Sequence, residues 1–375
     1  MPFNTAAWQP PKRGKLVVKP APYTPPRENE IVVRNRAVAI NPVDWMMQAI
    51  GDMMFRWVKY PFILGTDVAG EVAEIGKDVT RFKVGDRVLG HAMGGEPSRN
   101  TAAEGAFQIY TVLLDHMASP IPDAVSFEQA AVLPLAVSTA SCGLFQKDQL
   151  ALDYPTVPPR PKDKTLIVWG GSTSVGSCAI QLAVAAGYEV ITTASPKNFD
   201  YVRRLGASGA FDYNSRTVVR DIVAACKGKT VAGALAIGSN SVLHCIDIVG
   251  RCKGARFVSI ASPMPVSMDT MREGVSPIMA LLPQLPKLAW YSLMLRLKTR
   301  AGGVRTKTIW GGTLGFNEVG RIIYVDFLPK ALATGQFVPA PEPLVVGQGL
   351  AYVQAAFDAQ RQGVSAKKVV VSLEG

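Results

Sequence analysis

The stretch Leu166-Ile167-Val168-Trp169-Gly170-Gly171-Ser172-Thr173-Ser174-Val175-Gly176 constrains the fold more than any other part of the chain. It reads as a buried strand, a tight turn of small residues and the start of a helix. Such a turn leaves backbone N–H groups unpaired at a helix N-terminus, where the helix dipole also favours negative charge. A pyrophosphate fits there. The strand after that helix ends in Thr193-Ala194-Ser195-Pro196-Lys197-Asn198, which holds a lysine and no carboxylate.

The pattern around this turn predicts two kinds of architecture. Residues 1 to about 130 alternate short β-like runs with turn signals, as in Glu30 to Arg34, Val68 to Gly76 and Asp86 to Gly90, and so predict a β-rich unit. From about Lys164 the rhythm becomes strand, helix, strand, helix. The expected helix Val175 to Ala186 stops at Gly187, a C-cap. A strand Val190 to Ala194, a helix from near Asn198, and strands at Ala234 to Ile237 and Phe257 to Ala261 follow. This alternation predicts a doubly wound parallel sheet, an α/β fold. Tyr154 to Lys164 reads as an inserted loop, and Gly349 to Arg361 and Lys368 to Leu373 as a closing helix and strand.

Composition narrows the function classes. The chain has 375 residues and a formal charge of +11. That charge fits an anionic partner (nucleotide phosphate, coenzyme A tail, acidic lipid) or a basic surface with no particular role. Nucleic acid is disfavoured, because no Lys/Arg run is interleaved with aromatics. The five cysteines have neither metal nor redox spacing, and most are expected to be buried thiols. Met1 to Pro20 lacks a signal-peptide core. Ile278 to Leu297 is interrupted by Pro283, Pro286 and Lys287 before it could cross a bilayer. A cytoplasmic enzyme is the expectation. Residues 267–312 fit neither pattern, with Arg272, Lys287, Arg296, Lys298, Arg300, Arg305 and Lys307 beside Leu, Met and Trp. They read as a lid, a subunit contact or a membrane-adhering surface.

Five strings in order carry a resemblance: Ala39-Ile40-Asn41-Pro42-Val43-Asp44, Leu64-Gly65-Thr66-Asp67-Val68-Ala69-Gly70, Val84-Gly85-Asp86-Arg87-Val88, Gly105-Ala106-Phe107-Gln108-Ile109-Tyr110, and Phe127-Glu128-Gln129-Ala130-Ala131 with Leu133-Pro134. Over nearly the whole length the chain resembles the medium-chain dehydrogenase/reductase superfamily, in its zinc-independent quinone oxidoreductase and enoyl reductase branch. Gly170-Gly171-Ser172-Thr173 followed by Ser195-Pro196-Lys197-Asn198 is similar to fungal trans-acting enoyl reductases of polyketide synthesis. The resemblance implies a Rossmann doubly wound sheet plus a β-rich GroES-like catalytic domain. It implies boundaries at 1–138 for the catalytic domain, 139–330 for the Rossmann NADPH-binding domain and 331–375 for a C-terminal return. It also implies a homodimer, or a monomer as in a trans-acting relative.

The zinc enzymes of that superfamily hold their metal by cysteine, histidine and cysteine. Here Asn41 and Thr66 stand at the first two places, and the third falls near Ala136 or Val137. These are poor zinc donors, and Gly90 to Gly105, where a structural zinc lobe would lie, has no cysteine. No metal is expected. Without a Lewis acid, reduction of an activated C=C is favoured over reduction of a ketone.

NAD sites place a carboxylate at the end of the second strand to bind the ribose 2′-OH. Thr192 to Asn198 holds none, so Lys197 and Ser195 point to NADPH. Ser172, Thr173, Ser174 and Val175 would bind pyrophosphate, with Thr173 replacing the family's middle glycine. By resemblance, Tyr213 and Asn198 lie near the adenine ribose phosphate. Val43, Asp44, Thr139, Ile260, Ala261, Val364 and Ser365 lie around the nicotinamide and its ribose. Asp44 and Ser138 are the candidate catalytic residues, Ser138 or Thr139 steadying an enolate oxygen. Where the fungal relatives carry a lysine two residues after Asp44, this chain has Met46.

Three functions stay open at this point. The first is an NADPH-dependent, metal-free reductase of α,β-unsaturated carbonyl compounds in secondary metabolism, with free, thioester or carrier-bound substrates. The second is an NADPH quinone oxidoreductase, and the third a non-catalytic NADPH-binding protein with a membrane or partner contact.

Overall fold

The structure is a computed structural model that describes residues 2–11, 14–238, 240–262, 279 and 282–373. Residues 267–278, 280 and 281 of the irregular stretch singled out above lie outside the described residues. The described residues form two compact units, one within 2–135 and 315–373, the other within 136–262 and 279–314.

The first unit is built on antiparallel strands. Glu30–Ala39 is its central strand, pairing with Asp67–Ile75, with Tyr110–Leu114 and with the C-terminal Lys367–Ser372. Asp67–Ile75 passes the sheet on to Arg87–His91 and Ala118–Pro120. Apolar residues of Glu30–Ala39 point into a core with Phe107, Leu64 and Val369. Burial of such side chains contributes about 1.5–3 kcal/mol each.

Of the elements of this unit that were not legible in the sequence, two are the longest. The first is the helix Pro42–Met54, which begins on Asn41 with proline in its first turn. The other is the strand Glu342–Gln348, parallel to Lys367–Ser372 and mostly exposed, so it shows no buried run. The closing helix and strand are observed at Val353–Gln362 and Lys367–Ser372.

The second unit holds a six-stranded sheet whose strands are all parallel. In chain order the strands are Thr165–Trp169, Glu189–Ala194, Gly209–Asp212, Val231–Ala236, Phe257–Ile260 and Arg305–Thr308. Their order across the sheet is third, second, first, fourth, fifth, sixth. This is the doubly wound dinucleotide-binding order, whose crevice opens where the order reverses, beside the carboxyl end of the first strand. The expected α/β fold is observed. Thr165–Trp169 is buried throughout, as a central parallel strand must be when helices cover both faces. The sixth strand lies inside the stretch that fitted no pattern, because Arg305-Thr306-Lys307-Thr308 has no apolar alternation.

Four cysteines are buried and Cys252 is half-buried, all as free thiols. Among the described residues no helix is long and apolar enough to cross a membrane.

Candidate active site

In the second unit, the turn after the first strand has the geometry an anion needs. Gly170 has a φ of 88°, a left-handed conformation that glycine adopts without strain. A Cβ on Gly171 would lie 2.2 Å from Thr192 Oγ1, so glycine lets the second strand close on the turn. Gly176 is as tight, and against backbone, since its Cβ would meet the Gly170 carbonyl oxygen at 2.2 Å. The helix that follows spans Ser174–Ala185 with Thr173 as N-cap.

Thr173 Oγ1 accepts the Gly176 N–H at 3.0 Å and donates to Gly170 O at 2.8 Å. Its hydroxyl is thus committed to holding the turn, whereas the sequence suggested an added donor for phosphate. Among the described residues, the amides of Ser172, Ser174 and Val175 donate to no acceptor. They are the groups that can receive a pyrophosphate oxygen. The residues present therefore fit a dinucleotide.

At the end of the second strand, Ser195 Oγ lies 3.3 Å from the Tyr213 hydroxyl. Lys197 is exposed in the short turn Pro196–Asn198 and makes no ion pair with a described carboxylate. Asn198 is buried. The sequence-predicted group Ser195, Lys197, Asn198 and Tyr213 is thus assembled on adjacent strand ends. Ile260 ends the fifth strand, and Ala261 donates its N–H to Ala236 O at 2.9 Å. Ser138 is fully buried and Thr139 half-buried in the helix Pro134–Phe145.

The first unit contains a buried polar cluster that the sequence only partly foretold. Asn41 and Thr66, the two positions where the resemblance put metal ligands, do meet: Asn41 Nδ2 donates to Thr66 Oγ1 at 3.0 Å. Asn41 Nδ2 also donates to Asp67 Oδ2 at 2.7 Å. Lys368 completes the group. Its ammonium donates to Asn41 Oδ1 and lies 2.9 Å from Asp67 Oδ2. Asp67 Oδ1 accepts the Leu135 N–H at 2.6 Å. Both charged side chains are buried, Lys368 at 4% and Asp67 at 0% exposure.

Lys368 had no sequence signal, because its partners lie some three hundred residues away and a lysine in a C-terminal strand looks solvated. An ammonium already bonded to the Asn41 carbonyl and the Asp67 carboxylate would repel a divalent cation. The donor set offers no thiolate either. The residues present do not fit a zinc ion, and among the described residues no cluster of three or more His, Cys, Asp or Glu suits a metal.

Asp44 lies at the edge of this cluster, at the third position of the helix Pro42–Met54. Its Oδ2 accepts the Asn41 N–H at 2.7 Å, while Oδ1 is buried with no hydrogen-bond partner. Burial pushes its carboxyl up to about 8, with Asp67 adding to the rise. His91, at the end of the strand Arg87–His91, is pushed by burial down to about 4 and is neutral at pH 7. Val43 is half-buried beside Asp44, whereas Val364 and Ser365 are exposed between the closing helix and strand.

The model for the alcohol dehydrogenase GroES-like domain matches residues 27–123, and that for zinc-binding dehydrogenase matches residues 174–273. The dehydrogenase pigH of Monascus ruber is 52% identical over the full length of both chains. The trans-enoyl reductase himH of Aspergillus japonicus is 39% identical over 99% of this chain and 98% of its own. An alcohol dehydrogenase superfamily protein of Novosphingobium aromaticivorans shares the fold with a TM-score of 0.73, at 23% identity, over 99% of this chain and 100% of its own.

Proposed function

We propose a reaction for this chain, which belongs to the medium-chain dehydrogenase/reductase superfamily in its enoyl reductase and quinone oxidoreductase branch: the NADPH-dependent, metal-free reduction of a C=C conjugated to a carbonyl. The observation that carries the reading is the Lys368 ammonium bonded to Asn41, one of the positions where the resemblance put a metal ligand, and to Asp67 beside the other, Thr66. With that place taken by a fixed side-chain cation, no Lewis acid polarises an alcohol or ketone oxygen. An alkene already activated by its carbonyl needs none. The substantial identity to a protein named trans-enoyl reductase supports the same choice.

When bound, the nicotinamide supplies a hydride to the β-carbon of the substrate. The protein's task is to bind, orient and keep out water. The free amides of Ser172, Ser174 and Val175 receive the pyrophosphate. Lys197, Ser195 and Tyr213 favour the 2′-phosphate by charge and hydrogen bonding, in a turn with no carboxylate to repel it. Thr139, Ile260, Ala261, Val43, Val364 and Ser365 take up the nicotinamide end of the coenzyme. Asp44 holds a proton on a buried carboxyl at neutral pH and is the acid this reading assigns to the α-carbon. Ser138 is assigned to the enolate oxygen. The substrate class is an enoyl thioester or enone, free or carrier-bound, of fungal secondary metabolism.

The deciding experiment follows NADPH absorbance in stopped flow with a panel of enoyl thioesters, enones, simple ketones and quinones. Turnover of the conjugated alkenes without added metal, and undiminished by chelator, is the expected result. Loss of activity on chelation, or turnover of ketones or quinones alone, would overturn the reading.

A further inference from the structure

From Val275 to Asn317 the chain has no aspartate or glutamate, yet it carries six lysines and arginines. Within that stretch lies the helix Leu285–Gly302, started by a proline in its first turn. Its two faces have different fates. Tyr291 and Leu295 pack on the core of the second unit, and Lys298 pairs with Asp247 of the helix Ser241–Arg251. At 100° per residue, Leu285, Arg296, Ala289, Arg300, Leu293, Leu297 and Trp290 fall on one contiguous arc of about 140°.

That outer arc is left in solvent. Trp290 is 62% exposed, and Leu285, Leu293 and Leu297 are each about half exposed. A tryptophan and three leucines in one row exceed the scattered apolar residues of an ordinary surface. Arg296 and Arg300 are exposed on this arc and Lys287 is exposed at its flank, about 60° beyond Trp290, and none of the three pairs with a described carboxylate. The neighbouring cations are already engaged, Arg305 over the Phe257 ring and Lys307 with Asp148.

Charge decides the occupant. In a two-fold contact between copies each face meets itself. Arg296 and Arg300, with no ion-pair partner among the described residues, would then face their own copies, with no acid on the helix to relieve them. An anionic lipid surface satisfies the apolar row and the cations together. Leucine and tryptophan enter the boundary between headgroups and acyl chains, while arginine and lysine extend to the phosphates. Such a surface is flat and asks for a stripe, which is what the helix offers.

We propose that the outer face of the Leu285–Gly302 helix docks this protein onto an anionic phospholipid membrane, lying in the interface plane. Trp290, Leu293 and Leu297 are the apolar anchors, and Lys287, Arg296 and Arg300 the phosphate contacts. None of them belongs to the coenzyme or reaction residues, so docking and turnover are separable.

The test is co-sedimentation of the full chain with phosphatidylcholine vesicles, with and without phosphatidylserine. Binding is expected only with phosphatidylserine, and it weakens as salt is raised. Brominated lipid quenches part of the tryptophan fluorescence, and Trp290→Phe removes that part. Arg296→Glu with Arg300→Glu reduces vesicle binding at least a hundredfold, at about 1 kcal/mol per charge near the surface. Leu293→Ser with Leu297→Ser also releases the protein. Both variants change exposed side chains, and their far-UV circular dichroism and NADPH binding should match the parent. Failure of the parent to bind either vesicle, equal binding to both, or a solution dimer that Leu293→Ser dissociates would overturn the proposal.

Discussion

Asp44 has one carboxylate oxygen held by a backbone amide and the other enclosed without a partner, an arrangement that suits the protonated acid. Its carboxyl is pushed up to about 8 from an ordinary 3.8. The folded chain therefore keeps a proton that the unfolded chain releases above about pH 4. The stability this residue contributes is complete below that pH and is lost as the pH climbs towards 8. Asp44→Asn mimics the protonated form and should flatten the dependence of Tm on pH between 4 and 8. The same variant should lose the fall in kcat near pH 8 if Asp44 supplies the proton. Unchanged pH profiles in both measurements would remove it from that role. A second residue-scale prediction concerns Lys197, which is exposed and pairs with no described carboxylate. Lys197→Ala should raise KM for NADPH about tenfold, the lower end for a charge-assisted bond. KM for NADH and kcat should stay near their starting values, and a parallel rise for both coenzymes would contradict the assignment.

At the scale of the element, the nucleotide turn depends on close approach more than on its hydroxyls. Gly176→Ala would place a Cβ 2.2 Å from the Gly170 carbonyl, and backbone cannot give way as a flexible side chain can. The turn must shift, and NADPH binding measured by fluorescence titration should fall at least tenfold, with a stability loss of about 1–3 kcal/mol. Thr173→Ala removes the N-cap bond and the hydroxyl's bond to Gly170 O and should cost about 1–2 kcal/mol, while the amides of Ser172, Ser174 and Val175 stay available.

The sequence displayed this element well because strand, turn and helix are contiguous and each has its own local signature. The helix Pro42–Met54 was less visible. Its start signals, Asn41, Pro42 and Asp44, are present, but they fall inside a run of short β-like segments. The strand Arg305–Thr308 was invisible for a different reason. It lies at the sheet edge with three of four residues exposed, so no buried alternation was imposed on it.

At the scale of the whole chain, long-range polar contacts were the least legible feature, and one of them organises the candidate site. Lys368 belongs to the strand Lys367–Ser372 near the C-terminus, yet its ammonium is satisfied by Asn41 and Asp67 from the N-terminal third. Asp67 in turn accepts the amide of Leu135 at the start of the helix Pro134–Phe145. A buried pair of this kind contributes little over an apolar replacement, but removing one partner leaves the other charged and desolvated. Lys368→Met should therefore destabilise the first unit by about 3–5 kcal/mol in urea unfolding. Adding Asp67→Asn removes the orphaned charge while an amide oxygen still accepts the Leu135 N–H. The double variant should recover a large part of the loss, which makes the two substitutions non-additive. If Lys368→Met unfolds at the parent's urea midpoint, or if the second substitution adds its own full cost, the ammonium is not what closes this cluster. The ammonium would then not stand in place of a metal either.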